Sequence, residues 1–140
     1  MTLIVDTAPI VALADAGDPR RGAVRDVLDS EPGPLVVPAP ATAEIDYLRG
    51  KLFGSAARRD FIADLASGAY HVGALERDDY QTVLALEARY RGLELGLADC
   101  ALVILAARHQ TTRIVSFDER DLRAITPLYG GAFTILPADA

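Results

Sequence analysis

The chain has no tryptophan, one cysteine, one lysine and only nine aromatic Phe and Tyr residues among 140. A single cysteine excludes a disulfide framework, and Cys100 falls in the apolar run Leu97–Ala107, where a thiol is ordinarily core. That run is the longest apolar stretch, carries Asp99, and is far short of the roughly 20 residues a membrane-spanning helix requires. The amino terminus MTLIVDTAPIVALADAG is apolar but has no basic start and holds Asp6 in its middle, so it does not read as a secretory signal. The expectation is a soluble, cytoplasmic protein with no membrane association. Basic charge is also short: 14 Lys and Arg against 20 Asp and Glu give −6, which excludes a blanket cationic surface. Local patches are still open, because every basic residue except Lys51 is arginine.

What is present is enough apolar matter, 51% of residues, for one self-sufficient core. A compact chain of this length buries roughly two-thirds of its unfolded surface without staples, so residues 1–140 are expected to form a single domain. Short apolar runs read as strands: Thr2–Val5, Leu35–Val37, the alternating Tyr70, Val72 and Leu75, Ile114–Phe117 and Phe133–Leu136. Between them lie helical patterns. They run from Thr7 to about Ala14, Pro19 to Ser30 and Pro40 to about Leu52, the last carrying Ala43, Glu44, Tyr47 and Leu48. Others follow over Ser55–Ala66, Arg77–Arg91, Leu97–His109 and Asp118–Ile125. Such alternation predicts a three-layer α/β/α sandwich around a central, mostly parallel sheet of four or five strands.

Ligands of open parallel sheets bind beyond the carboxyl ends of the strands. Two acids stand there: Asp6 directly after TLIV and Asp118 after IVSF. Glu44 follows about one turn into its helix, and Asp99 opens a helix that is otherwise apolar on nearly all sides. Each has an ordinary reading. Asp6 and Asp118 suit helix caps, Glu44 suits a solvated face, and Asp99 suits the positive end of a helix dipole. An acid on so apolar a helix must nevertheless either cap it or face a polar pocket. Asp46, Glu119 and Asp121 read as surface charges.

Taken together, IVDTAPIVAL around Asp6, ATAEIDYL around Glu44, GLADCALVILAA around Asp99 and IVSFDERDL around Asp118 resemble the PIN-domain ribonucleases, specifically the VapC-type toxins of bacterial toxin–antitoxin pairs. The resemblance runs from Leu3 to about Pro137. It implies a PIN-like fold and a catalytic acidic quartet of Asp6, Glu44, Asp99 and Asp118, with Asp6 and Asp99 on Mg²⁺ or Mn²⁺. Thr7 falls on the small polar residue that follows the first acid, and Ser116 on the hydroxyl residue two positions before the last. Asp121, in the same turn as Asp118, is able to share or replace its role. The resemblance further implies an RNA substrate of the rRNA or tRNA class, a cognate antitoxin and a homodimer. Apolar faces such as Phe53, Phe61, Ile62 and Leu65 are either an antitoxin groove or core.

Physical chemistry gives a reason for a cation. Two carboxylates 4 Å apart repel by roughly 4 kcal/mol at an effective dielectric of about 20. Converging acids must therefore hold protons, recruit Arg or bind metal, and an all-oxygen set without His or Cys favours Mg²⁺ or Mn²⁺ over zinc. Attack by a metal-activated water does not use the ribose 2′-hydroxyl, so the chemistry alone does not separate RNA from DNA. Two arginine groups, Arg20, Arg21 and Arg25, then Arg49, Arg58 and Arg59, are candidates for a rail beside the acids. Other readings are a haloacid-dehalogenase-type phosphatase, a phosphoacceptor receiver and a non-catalytic module of the same fold. The first wants a second Asp two positions after Asp6, where Ala8 stands, and the second lacks its paired acids and late lysine.

Overall fold

A computed structural model describes residues 1–140, and its core is a five-stranded sheet in the order β3-β2-β1-β4-β5, with every neighbouring pair parallel. The strands are β1 (Leu3–Val5), β2 (Leu35–Pro38), β3 (His71–Gly73), β4 (Arg113–Val115) and β5 (Thr134–Leu136). The helices are α1 (Thr7–Ala12), α2 (Arg21–Ser30), α3 (Ala39–Phe53), α4 (Ser55–Ser67), α5 (Asp79–Arg89), α6 (Leu97–Arg108) and α7 (Glu119–Ala124). A short 3₁₀ turn at Arg91–Leu93 joins α5 to α6. Of the four or five strands expected, there are five.

Side-chain alternation along the strands sorts the core into two slabs. Leu3 and Val5, Val37, Val115 and Leu136 point to one face, where Ile10, Val24, Leu28, Ala41, Ile45 and Phe61 cover them. Ile4, Val36, Ile114 and Ile135 point to the other, under Val83, Leu86, Leu122 and the apolar α6. Helix α6 explains its own composition. It packs on β1, β2 and β4 below and on α3 and α5 at its flanks, so Cys100–Ala106 are all buried.

Element edges differ from the expectation where local chemistry intervenes. Helix α2 starts at Arg21 because Asp18 caps the preceding turn, accepting from the Arg20 N–H at 2.8 Å. Gly54, with φ 93°, divides α3 from α4, and Gly68, with φ 81°, closes α4. Helix α5 is shorter than Arg77–Arg91, because Asp79 accepts from the Glu76 N–H at 2.7 Å and pins the turn ahead of it. Helix α3 buries a narrow stripe. Ala41, Ile45 and Arg49 turn inward, whereas Glu44, Tyr47 and Leu52 are exposed.

Strand β3 passes under α6 at Gly73, where a Cβ would lie 2.7 Å from Leu105 Cδ1 and 2.9 Å from Val36 Cγ1. Gly73→Ala should therefore cost about 1–3 kcal/mol through overpacking, read as a lower denaturant midpoint at unchanged slope.

Candidate active site

The order β3-β2-β1-β4-β5 places the topological switch between β1 and β4: the chain first grows outward through β2 and β3, then returns to the other side of β1. The residues that follow β1 line a crevice at that switch point, and those that follow β4 stand next to them. Asp6 is the first residue after β1, and its N–H donates to the Val115 carbonyl of β4 at 2.9 Å, which locks the two ends together. Its carboxylate is held at both oxygens. Oδ1 accepts from the Thr7 N–H at 2.8 Å, which caps α1, and Oδ2 accepts from the buried Ser116 hydroxyl at 2.7 Å. Ser116 Oγ in turn accepts from the Asp118 N–H at 3.0 Å. Both readings of Asp6, cap and crevice acid, therefore hold at once.

The same is true of Asp99. Its Oδ2 accepts from the Gly96 N–H at 3.0 Å across the first turn of α6, while the residue also lines the crevice. That crevice has a volume of about 690 Å³ and is walled by Asp6, Glu44 and Asp99, with Thr7 and Leu97 beside them and Leu48 and Leu52 from α3. Asp118 and Asp121 are not on its wall. Asp118 joins the cluster through Ser116, and its Oδ1 accepts from the Asp121 N–H at 3.3 Å, capping α7.

Electrostatics tie the group together. Burial pushes the Asp6 carboxyl above its ordinary 3.8; the Ser116 and Thr7 bonds offset part of this, and Asp99 and Asp118 add repulsion. Burial likewise raises Asp118, with Asp121 and Asp99 repelling it. Arg20 is the single basic residue on the crevice wall, and it is engaged elsewhere. Its Nε and Nη2 donate to Asp18 at 3.1 and 2.9 Å, and its guanidinium stacks on Phe117 with 3.8 Å to the ring centroid. The Asp6 carboxylate therefore has two like-charged neighbours and no cation of its own.

The donor chemistry of this wall fits a hard divalent cation: carboxylate oxygens, no thiolate or imidazole, and a desolvated anion in want of positive charge. The buried Thr7 Oγ1, which has no hydrogen-bond partner, is one further oxygen beside Asp6. No three of the Asp, Glu, His or Cys side chains converge closely enough to grip an ion as they stand. The carboxylates share a crevice and stand apart within it, as unneutralised like charges do.

Residues 3–126 match the family described as the PIN domain, a span that takes in all four acids. The chain belongs to the PIN domain family. Ribonuclease VapC26 of Mycobacterium tuberculosis is 33% identical over 135 residues, covering 96% of this chain and 100% of that protein. The crystal structure of Mycobacterium tuberculosis VapC20, described as a sarcin–ricin loop cleaving toxin, aligns with a TM-score of 0.76 at 21% identity. It covers 84% of this chain and 91% of that one, and it bears out the PIN-like fold.

Several residues of this PIN domain sit elsewhere than expected. Of the two arginine groups, only the first reaches the crevice, through Arg20. Arg58 instead pairs with Asp46 at 2.6 Å, and neither Arg58 nor Arg59 lies on the crevice wall. Phe61 is wholly buried and belongs to the core, whereas Phe53 is on the crevice wall and Ile62 is 40% exposed. His71 and His109 are exposed and Cys100 is buried, far from any role as base or nucleophile; burial lifts the thiol to about 11. Asp15 and Asp18, also on the wall, carried no strand-end signal; only the Asp18-Pro19 turn ahead of Arg20 marked them.

Proposed function

We propose that this PIN domain, acting as one unit over residues 1–140, is a metal-dependent endoribonuclease and the toxin of a toxin–antitoxin pair. The observation that carries the reading is Asp6: desolvated at the sheet's switch point, fixed at both oxygens, repelled by Asp99 and Asp118, and sharing its crevice with Asp99 and Glu44. Kinship with Ribonuclease VapC26 over the whole chain supports the activity. The substrate class is a structured RNA of the rRNA or tRNA kind, and the further partners are a cognate antitoxin and a second copy of the chain. No helix is long and apolar enough to cross a membrane. The reading places the action on RNA in the cytoplasm.

Asp6 and Asp99 would hold the Mg²⁺ or Mn²⁺, with Glu44 of α3 on the same crevice wall. When bound, such an ion neutralises the scissile phosphate and lowers the pKa of the attacking water. The remaining work belongs to the chain. Ser116 and the Thr7 N–H fix the Asp6 carboxylate in one orientation, so it meets its ligand without a search over rotamers. Asp118, tied to the Asp6 carboxylate through Ser116 and made more basic by burial, would serve as the proton acceptor, with its Oδ1 held by the Asp121 N–H. Asp121 thereby positions Asp118. Arg20, oriented by Asp18 and Phe117, is the basic side chain of the crevice wall that would meet the phosphate.

Purified protein incubated with structured RNA should cleave it only with Mg²⁺ or Mn²⁺ present, and EDTA should stop the reaction. Intact RNA under every metal condition, together with hydrolysis of an aryl phosphate, would transfer the site to the phosphatase reading.

A further inference from the structure

A second concavity, about 570 Å³, lies on the far side of the ridge formed by the end of α1. Val11, Ala12 and Asp15 face the acidic crevice, whereas Leu13, Ala14 and Ala16 face this groove; Leu48 and Arg49 divide in the same way along α3. The two hollows are thus neighbours across one turn of chain.

Three arginines line the groove: Arg21 and Arg25 from α2, and Arg49 from α3. None is in an ion pair, although five of the protein's other arginines are. Arg21 spends only its Nε, on the Leu13 carbonyl at 2.8 Å. Arg25 is exposed and unengaged. Arg49 is the anomaly. It is only 7% exposed, its Nε is buried with no partner, and its guanidinium makes no hydrogen bond to another side chain. A buried guanidinium is normally paired, because desolvating a charge without a partner is unfavourable. Asp60 and Asp64 of α4 form the facing wall; neither comes within ion-pair distance of an arginine, although Asp64 is near enough for the Arg49 charge to act on its carboxyl. Three cations against two carboxylates leave this groove net positive in a protein whose overall charge is −6.

We infer that Arg49, Arg21 and Arg25 bind a phosphate of the RNA strand as it leaves the acidic crevice and crosses the end of α1. The inference rests on the ribonuclease reading and extends it by naming where the flanking strand runs. Phosphate is the ligand whose oxygens match a planar guanidinium, and the shared ridge is what makes a single strand able to occupy both hollows. Arg20 and this trio then supply the local cationic track that the acidic composition otherwise lacks.

The test uses the full chain with Mg²⁺ and two RNAs sharing one mapped cleavage site, a short oligonucleotide and one extended on both sides. Arg25→Gln and Arg49→Met are compared with wild type. Each should raise KM for the extended RNA several-fold with kcat unchanged, leave the short RNA untouched, and lower the salt slope of binding by about 0.7. Arg49→Met should also melt no lower than wild type, because it removes an unpaired buried charge. If wild type cleaves both RNAs and Arg25→Gln changes neither KM nor the slope, the inference is overturned while the nuclease reading stands. Loss of binding to an acidic peptide, with RNA kinetics unchanged, assigns the groove to a protein and overturns it too. If wild type cleaves no RNA, the nuclease reading fails and this one falls with it.

Discussion

Asp99→Asn should lower the rate of RNA cleavage by roughly 10³-fold or more while leaving the metal-free protein as stable as wild type. The two halves of this expectation have separate physical origins. A ligand to the cation supports several kcal/mol of charge neutralisation at the scissile phosphate, and each 1.36 kcal/mol is about tenfold in rate. The amide that replaces the carboxylate still has an oxygen to accept from the Gly96 N–H, so the first turn of α6 stays capped. If Asp99 were only a cap, activity would persist; if the carboxylate charge were essential to folding, the melting temperature would drop. Asp6→Asn should lose activity to a similar extent and, without metal, melt higher than wild type at neutral pH.

The pH dependence of that second variant carries the sign. Burial raises the Asp6 carboxyl above 3.8 in the folded state, so the folded protein binds its proton more readily than the unfolded chain does. The stability this group contributes is present in full below pH 3.8 and is lost as pH rises through the folded value. Asp6→Asn, which does not titrate, should therefore outperform wild type at neutral pH and lose its advantage in acid. Adding Mg²⁺ or Mn²⁺ should reverse the neutral-pH order, because the ion stabilises only the form that binds it. Thermal melts of both proteins at neutral and acid pH, with and without metal, decide all of this. A variant that is less stable than wild type at neutral pH without metal would mean that the Asp6 carboxylate supports the fold rather than straining it.

The fold was legible because each strand announces itself as a few apolar residues ending at a polar break, and parallel strands buried on both faces read in that way. The acids were legible for the same reason: Asp6 falls where β1 stops and Asp118 three residues past the end of β4, which stops at Val115 rather than at the expected Phe117, and adjacency of those two strands in the sheet follows from the switch in strand order. Helix faces were less legible. On α3 the buried stripe Ala41, Ile45, Arg49 ends in a charged residue, so its periodicity looks polar and the exposed Tyr47 and Leu52 look like core. The same misdirection occurs on α5, where Tyr80 and Leu84 are exposed and Val83 and Leu86 are buried. Arg49 was legible only as one of six candidate rail arginines, because only three-dimensional packing tells a buried guanidinium from a solvated one. Sequence was equally silent on the division between Asp118 and Asp121. Both lie within one turn, and what differs between them is three-dimensional: Ser116 bonds to the backbone of Asp118 and not to that of Asp121.

Ser116→Ala should cut activity or metal affinity by about 10–100-fold, with a smaller effect on stability than on function. The hydroxyl lies at 1% exposure and makes two bonds of different kinds. It donates to Asp6 Oδ2 at 2.7 Å and accepts from the Asp118 N–H at 3.0 Å, so one oxygen sets the orientation of the first acid and the approach of the last. Alanine fills nearly the same space, which leaves the backbone of β4 and its bond from Ser116 N–H to the Leu136 carbonyl intact. What is lost is direction: the Asp6 carboxylate keeps only the Thr7 N–H, and the turn into α7 loosens around Asp118. Ser116→Thr, which keeps the hydroxyl, should recover more of the activity than Ser116→Cys, whose sulfur is a weaker hydrogen-bond donor and acceptor. Titrating Mg²⁺ against cleavage rate separates the two roles. A raised metal requirement with a recovered maximal rate traces to Asp6, and a depressed maximal rate at saturating metal traces to Asp118. Full activity in Ser116→Ala at every metal concentration would show that neither acid depends on this hydroxyl.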